Sequence, residues 1–319
     1  MTSEFDLIRK HFTRNPAHTD LAVGDDAALM TPAPGMQLVV STDMLVSGTH
    51  FFPDVEPETL GWKTLAVNVS DIVAMGAQPR WAVLALALPD AEPAWVSAFA
   101  EGLFACAHAY GVDLVGGDTT RGPLTLCVTI MGEVPVGTAI TRAGAQPGDS
   151  IWVSGQPGRA ALGLAHLQDK LVLTGAGRDA CLDALHRPQP RLQAGLALRG
   201  MASAMLDVSD GLLGDLRHIL ERSGVGADIE LDTLPLAELL QYGMDRDTAC
   251  NACLSGGDDY ELLFTAPATH DAAIARLAHT LSLPLTRIGT LNAESGALRL
   301  RTAHGETYSP ERFGYDHFA

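Results

Sequence analysis

Six times in 319 residues an apolar run breaks into a carboxylate flanked by small or hydroxylated residues: "VGDDAAL" (23–29), "STDML" (41–45), "NVSDIVAMGA" (68–77), "VGGDTTRG" (115–122), "LDVSDGL" (206–212) and "SGGDDYEL" (255–262). An aspartate pressed toward a hydrophobic interior costs on the order of several kcal/mol unless it is paired or bound to a metal. The fold must therefore end each apolar run where its acid can meet water, a donor or a cation. The length also exceeds the size at which one hydrophobic core usually stops growing. With 47% hydrophobic and 18% charged residues, either half can bury a core of its own.

Between these points strands and helices alternate. "QLVVSTD" (37–43) is a short β-rich run. In 57–77 the apolar residues Leu65, Val69, Ile72 and Val73 follow helical spacing, which puts the polar Thr64, Asn68 and Asp71 on one face. "RWAVLALALP" (80–89) reads as a buried strand, 92–111 as a helix closed by glycine, and "VDLVGG" and "LTLCVTIMGEV" as two more strands. Long antiparallel-looking strands under two helices predict an α/β chain of the α+β kind. "GTAITRAGAQPGDS" (137–150) interrupts the periodicity and sets a domain boundary, giving domains 1–138 and 139–319. The second begins with the strand "SIWVSG" and continues through helices near 157–168 and 188–201, the strand "AMLDVS" and the helix "GLLGDLRHILERSG". It then runs through the strand "DYELLFTA", the helix "HDAAIARLAHTL" and two closing strands.

The formal net charge of −17, with only 21 Lys and Arg, excludes a nucleic-acid surface, since phosphate backbones are bound by clustered cations. Aspartates number 25 against 13 glutamates, although glutamate is the better helix former. The surplus belongs to turns and sites. Five cysteines, an odd set among apolar or helical neighbours, read as reduced thiols of a cytoplasmic protein, and "CNAC" (250–253) as two residues on a helix. "MTSEFDLIRKHF" has the look of a capped amphipathic helix rather than a signal peptide, and no apolar run reaches membrane-spanning length.

Neither a P-loop, a dinucleotide fingerprint nor a nucleophile elbow occurs. The chain offers Asp, Ser and Thr oxygens, expected on loops at strand ends, and these are hard ligands suited to Mg²⁺. A single Asp in a Gly-rich turn is ordinarily a turn former, and Asp54, Asp149 and Asp215 are read that way. Asp210 could equally cap the helix that follows it. Taken together, the recurring acids suggest a shared cation site.

The motifs "VGDDAAL", "STDMLVSGTHF", "GWKTLAVNVSDIVAMGAQP", "GGDTTRGP", "TRAGAQPGD", "DVSDGL" and "SGGDDYEL", in this order from "EFDLI" to "GYDHF", carry a resemblance to the thiamine-monophosphate kinase family. That family belongs to the superfamily of aminoimidazole ribonucleotide synthetase. The resemblance implies a homodimer in which the mixed sheet of an N-terminal, Mg-nucleotide-binding domain forms a barrel across the two-fold axis, beside a C-terminal α/β sandwich-like domain. It implies transfer of the γ-phosphoryl group of ATP to thiamine phosphate. It assigns several Mg²⁺ ions to Asp26, Ser41, Thr42, Asp43, Asp71, Asp118, Asp207 and Asp210, and ATP contacts to Gly117, Asp118, Arg142 and Ser209. Contacts with the thiamine moiety fall on His50, Asp258 and Tyr315. Two positions depart from the family pattern: Asp258 stands where relatives often carry Glu, and Leu213-Gly214 where small polar residues are common. A phosphate acceptor is largely ionised near pH 7, its second pKa being about 6, so no general base is implied. A synthetase of the same superfamily and a non-catalytic Mg-nucleotide sensor are the rival readings.

Overall fold

The structure, a computed structural model, describes residues 4–302, 304, 306–310 and 312–315. The chain divides into two compact units, Met1–Val73 with Ala77–Gly137, and Ala74–Gly76 with Thr138–Ala319.

The first unit opens with a short helix α1 (Glu4–Leu7) running into a wider π-type turn, Ile8–Phe12. The expected capping residues 2 and 3 lie outside the described residues. Four strands follow: β1 (Met36–Val46), β2 (Gln78–Leu88), β3 (Asp113–Arg121) and β4 (Thr125–Pro135), in the spatial order β1-β4-β2-β3. β4 pairs antiparallel with both β1 and β2, whereas β2 and β3 run parallel, joined by a crossover through helix α3 (Pro93–Tyr110). Helix α2 (Pro57–Ala74) lies on one face, with Ile72 packed on Gly132 of β4. α3 ends on Gly111 in the left-handed conformation, as the sequence pattern requires. Trp81, Phe99, Leu60, Ile72, Leu86 and Ile130 are fully buried between sheet and helices. The opposite face is different. Leu38, Val40 and Met44, at alternate positions of β1, are 51%, 60% and 54% exposed.

The second unit is built on a seven-stranded sheet. Its strands are β5 (Asp149–Ser154), β6 (Ala204–Asp207), β7 (Gly226–Glu230), β8 (Leu262–Pro267), β9 (Leu285–Asn292), β10 (Leu298–Arg301) and β11 (Thr307–Tyr308), ordered β11-β10-β7-β9-β5-β8-β6. Only β7 and β10 pair parallel. Helices α4 (Arg159–Leu167), α5 (Gly175–His186), α6 (Leu192–Ala197), α7 (Leu212–Ser223), α8 (Ala237–Gln241), α9 (Arg246–Ser255) and α10 (Asp271–Leu281) complete it. Its core joins Ile151 and Val153 of β5 to Leu212, Leu216 and Ile219 of α7 and Leu254 of α9.

The protein is thus a mixed α/β fold in two units, each with a mixed sheet. Four elements go beyond the sequence expectation: α5, β7, the short α8 and the small β11. α5 has a nearly neutral mean hydropathy and buries only Gly177, Cys181 and Leu185, so its apolar stripe is thin. Cys250 and Cys253 do lie on a helix, α9, and all five cysteines are free thiols. Among the described residues no helix is long and apolar enough to cross a membrane.

Candidate active site

Each unit carries its own acidic cluster. In the first, Ser41 and Asp43 occupy alternate positions of β1, so both side chains fall on the face that α2 covers. Ser41 Oγ donates to Asp71 Oδ2 at 2.5 Å. The backbone N–H of Asp43, on the free edge of the sheet, donates to Asn68 Oδ1 at 3.0 Å, and Asn68 Nδ2 in turn donates to Thr64 O at 3.0 Å. The polar face of α2 predicted from the spacing of Thr64, Asn68 and Asp71 is therefore what ties the helix to β1. Asn68, 1% exposed, is a residue of the site that the sequence reading noted but gave no role.

Other members of the first set stand apart. Thr42 turns to the opposite face, where its Oγ1 donates to Val128 O at 3.0 Å and accepts from Thr129 Oγ1 at 3.1 Å. The register Met44–Cys127–Ala85–Asp118 runs across the sheet, placing Asp118 three strands away from β1, roughly 14 Å, on the same open face as Thr42. Gly117 beside it has φ +150°, and a Cβ there would lie 1.9 Å from Leu84 O, so only glycine lets β3 approach β2 at this point. Asp25 and Asp26 are exposed on a loop closed by pairing of Leu21 with Leu29, with Asp26 N–H donating to Asp25 Oδ1 at 2.9 Å. Exposure removes the desolvation cost that made this pair a puzzle. His50 closes a turn after β1: its Nδ1 accepts from Val46 N–H at 3.0 Å, which places the ring proton on Nε2.

The expectation that the acids sit on loops at strand ends needs correcting. Ser41, Thr42 and Asp43 are in the body of β1, Asp118 is within β3, and Asp71 is in the last turns of α2. β1 reaches three residues further than the expected run because Met44 and Leu45 continue the ladder to β4. Only Asp26, Asp210 and Asp258 belong to loops.

In the second unit the sequence motifs converge. β6 ends at Asp207, 6% exposed, and the following segment 208–211 is paired with 258–261: Asp258 N–H donates to Ser209 O, Tyr260 N–H to Val208 O, and Val208 N–H to Glu261 O, each at 2.8 Å. Gly257 permits this pairing, because a Cβ there would sit 2.5 Å from Ser209 O. The C-terminal segment joins the group through Tyr315, whose N–H donates to Asp210 O at 2.8 Å, while the Arg217 guanidinium lies 3.7 Å from the centre of the Phe313 ring. Asp207, Ser209, Asp210, Asp258 and Tyr315 therefore form one neighbourhood. The main chain of Arg142 lies at the other end of α7, where its carbonyl accepts from Ser223 Oγ at 3.1 Å.

Three further acids hold this neighbourhood, and the sequence reading gave Asp259 and Glu261 no role. Asp215, expected as a turn former, lies in the first turn of α7 at 4% exposure, and one oxygen, Oδ2, accepts the N–H groups of Ser209, Asp210 and Gly211, each at 3.1 Å. Burial, reinforced by the nearby Asp210, pushes its carboxyl up to about 7 against the pull of those three donors. Asp259 accepts from Gly158 N–H at the start of α4 with both oxygens, at 3.0 and 2.9 Å, and burial holds its pKa well above the ordinary value. Glu261, 4% exposed, accepts from Arg191 at 2.5 and 2.7 Å and from Ser154 Oγ at 2.6 Å. Asp149, also expected in a turn, accepts from Gln146 N–H as a turn former does, and in addition from Ser203 Oγ at 2.6 Å.

Among the described residues no three His, Cys, Asp or Glu side chains converge closely enough to cage an ion unaided. The donors present are hard oxygens, which fits Mg²⁺. That ion takes one or two carboxylates, keeps water and completes its shell with substrate phosphates.

Comparison with known proteins identifies the family. Residues 24–134 match the N-terminal domain, and 146–300 the C-terminal domain, of the AIR synthase related proteins. The chain is 44% identical over 321 residues to the thiamine-monophosphate kinase of Escherichia coli strain K12, covering 99% of this chain and 98% of that protein. The crystal structure of thiamine-monophosphate kinase from Stenotrophomonas maltophilia K279a is 46% identical, with a TM-score of 0.84 over 95% of both chains. A structure of AaThiL complexed with AMPPCP and TMP is 30% identical, with a TM-score of 0.77 over 98% of this chain and 96% of that one. The chain belongs to the thiamine-monophosphate kinase family of AIR synthase related proteins.

Proposed function

We propose that this protein transfers the γ-phosphoryl group of ATP directly to thiamine phosphate. A terminal phosphate oxygen of the acceptor forms the new P–O bond while the bond to the β-phosphate oxygen breaks, and ADP leaves. The acceptor is largely dianionic near neutral pH, so no proton need be removed before attack. The observation that carries the reading is end-to-end similarity to thiamine-monophosphate kinases at 44% identity. The AaThiL complex with AMPPCP and TMP supports the same pair of substrates. Incubation with ATP, Mg²⁺ and thiamine phosphate should yield ADP and thiamine diphosphate in equal amounts by mass spectrometry. ADP released only with an unrelated acceptor would overturn the substrate, and nucleotide binding without turnover would favour a sensor.

The residues that would hold magnesium are Asp26, Ser41, Thr42, Asp43, Asp71, Asp118, Asp207 and Asp210, with the Thr42 hydroxyl on the same open face as Asp118. Bound there, the ion supplies screening between two anionic phosphates, a repulsion that would otherwise dominate the barrier at low dielectric. Gly117, Asp118, Arg142 and Ser209 are assigned to the nucleotide. Asp258, Tyr315 and His50 are assigned to the thiamine moiety. An aromatic face such as that of Tyr315, 56% exposed, suits a cationic thiazolium.

The first unit is also read as a dimerisation domain, its sheet closing into a barrel with that of a second copy. Support comes from the exposed apolar face formed by Leu38, Val40 and Met44, a patch that a monomer would leave in water. Thr42 and Asp118 lie on that same face, so assembly and site would be linked. Light scattering should give twice the chain mass, and Val40→Lys should shift it to the monomer. Free thiols throughout suit a cytoplasmic protein.

A further inference from the structure

The turn carrying Asp258 is strained in a way the pairing of the two segments does not require. Asp258 and Tyr260 both adopt left-handed backbone, φ +69° and +52°, a region that a residue with a bulky side chain seldom enters. Such strain persists where its surroundings over-determine it, and it clusters at functional sites. Here the turn is pinned on both sides of each strained residue. Asp258 and Tyr260 donate their N–H groups to Ser209 O and Val208 O, and the intervening Asp259 is anchored on Gly158 N–H. The geometry folds the Tyr260 ring back over its own turn. The side chain is 9% exposed, and its hydroxyl donates to Asp258 Oδ1 at 3.0 Å.

We propose that Tyr260 is a positioning residue that aims the Asp258 carboxylate at the organic half of the acceptor, and so sets the selectivity for a phosphate ester bearing an amine or cationic ring. This rests on the assignment of Asp258 to the thiamine moiety. Asp258 is one methylene shorter than the glutamate expected from the family pattern, so it has little room to search for its partner. The hydroxyl donated to Oδ1 restrains the carboxylate from within its own turn. A side chain so held loses less freedom on binding than one that must be ordered by the ligand. Hydrogen bonds to charged groups are the stronger class, so removal of this one should register in substrate affinity.

The test is a double-mutant cycle on the full-length enzyme with wild type, Tyr260→Phe, Asp258→Ala and the double variant, using initial rates with ATP, Mg²⁺ and thiamine phosphate. Tyr260→Phe keeps the buried ring, and its melting temperature should match wild type within a few degrees. It should raise KM for thiamine phosphate about three- to tenfold while kcat and KM for ATP stay within about twofold. Thiamine, used as a competitive inhibitor with the same organic half, should lose affinity by the same factor, and ADP should lose none. In the Asp258→Ala background the Phe substitution should have no further effect. An equal rise in KM with and without Asp258 would overturn the proposal, since Tyr260 would then act through packing alone. A KM unchanged in Asp258→Ala overturns the assignment of Asp258 and the proposal with it. A wild type that makes no thiamine diphosphate fails the function instead.

Discussion

In the first unit the aspartates stand in or near water: Asp25, Asp26 and Asp118 are exposed, and Asp71 is half-buried with a serine hydroxyl as its partner. In the second, Asp215 and Glu261 are 4% exposed and Asp259 is half-buried, and all three are satisfied by backbone N–H groups or by Arg191. The same residue type is thus used in two ways. Solvated acids gain from a cation and lose little without one, whereas buried acids have become part of the scaffold and hold neighbouring residues in place. Substitution should separate the two classes, with function lost in the first and folding in the second.

The largest effect expected is on Glu261→Ala, which removes a buried carboxylate from the part-buried Arg191 guanidinium and from Ser154 Oγ. Breaking such a pair costs about 3–5 kcal/mol, and urea unfolding would measure it. Retained stability would place this acid with the solvated class. Next comes Asp71→Asn in the first unit: turnover should fall about 100-fold, with an unchanged or slightly raised melting temperature in the absence of Mg²⁺. A collapse of stability there would erase the distinction. Asp113 lies between the classes, being part-buried and accepting from the N–H groups of Ala17 and His18 and from Thr19 Oγ1. Burial alone would raise its pKa, but these donors outweigh it and hold the carboxyl below its ordinary value of 3.8. Its contribution is therefore present above about pH 4 and lost as pH falls through the depressed value. Asp113→Ala should cost about 1–3 kcal/mol at pH 7, and the difference from wild type should shrink in acid. Smallest is Arg217→Ala, which removes an exposed cation from the face of Phe313; about 0.5–1 kcal/mol is expected, read as slightly faster amide exchange at Tyr315.

Much of the fold was legible because its periodicities are long. The helix 57–77, the glycine stop after 92–111 and the strand 80–89 all emerge close to their predicted bounds. What stayed hidden has physical causes. α5 carries too few apolar residues to announce itself, and the extension of β1 through Met44 and Leu45 depends on a partner strand more than 80 residues away. The site was readable as a set of residue types but not as a division of labour. Nothing in "DVSDGLLGDL" distinguishes the acid that faces outward from the one that turns back under the loop, because both follow small residues. Likewise Thr42 and its neighbours form one motif in sequence, and the pleat of the strand splits them between two faces.

The three amides gathered on one Asp215 oxygen have a consequence for how phosphate can be met here. The start of a helix ordinarily offers such groups, with the positive end of its dipole, to an incoming anion. In this chain the amides of Ser209, Asp210 and Gly211, which lead into α7, already serve an internal guest and are not offered to a nucleotide. If Ser209 meets the nucleotide as proposed, neutralising its phosphates there falls to divalent ions that arrive with it from solution. Nucleotide capture at this end of α7 should accordingly track the supply of divalent salt more steeply than it does in proteins that grip phosphate with main-chain amides.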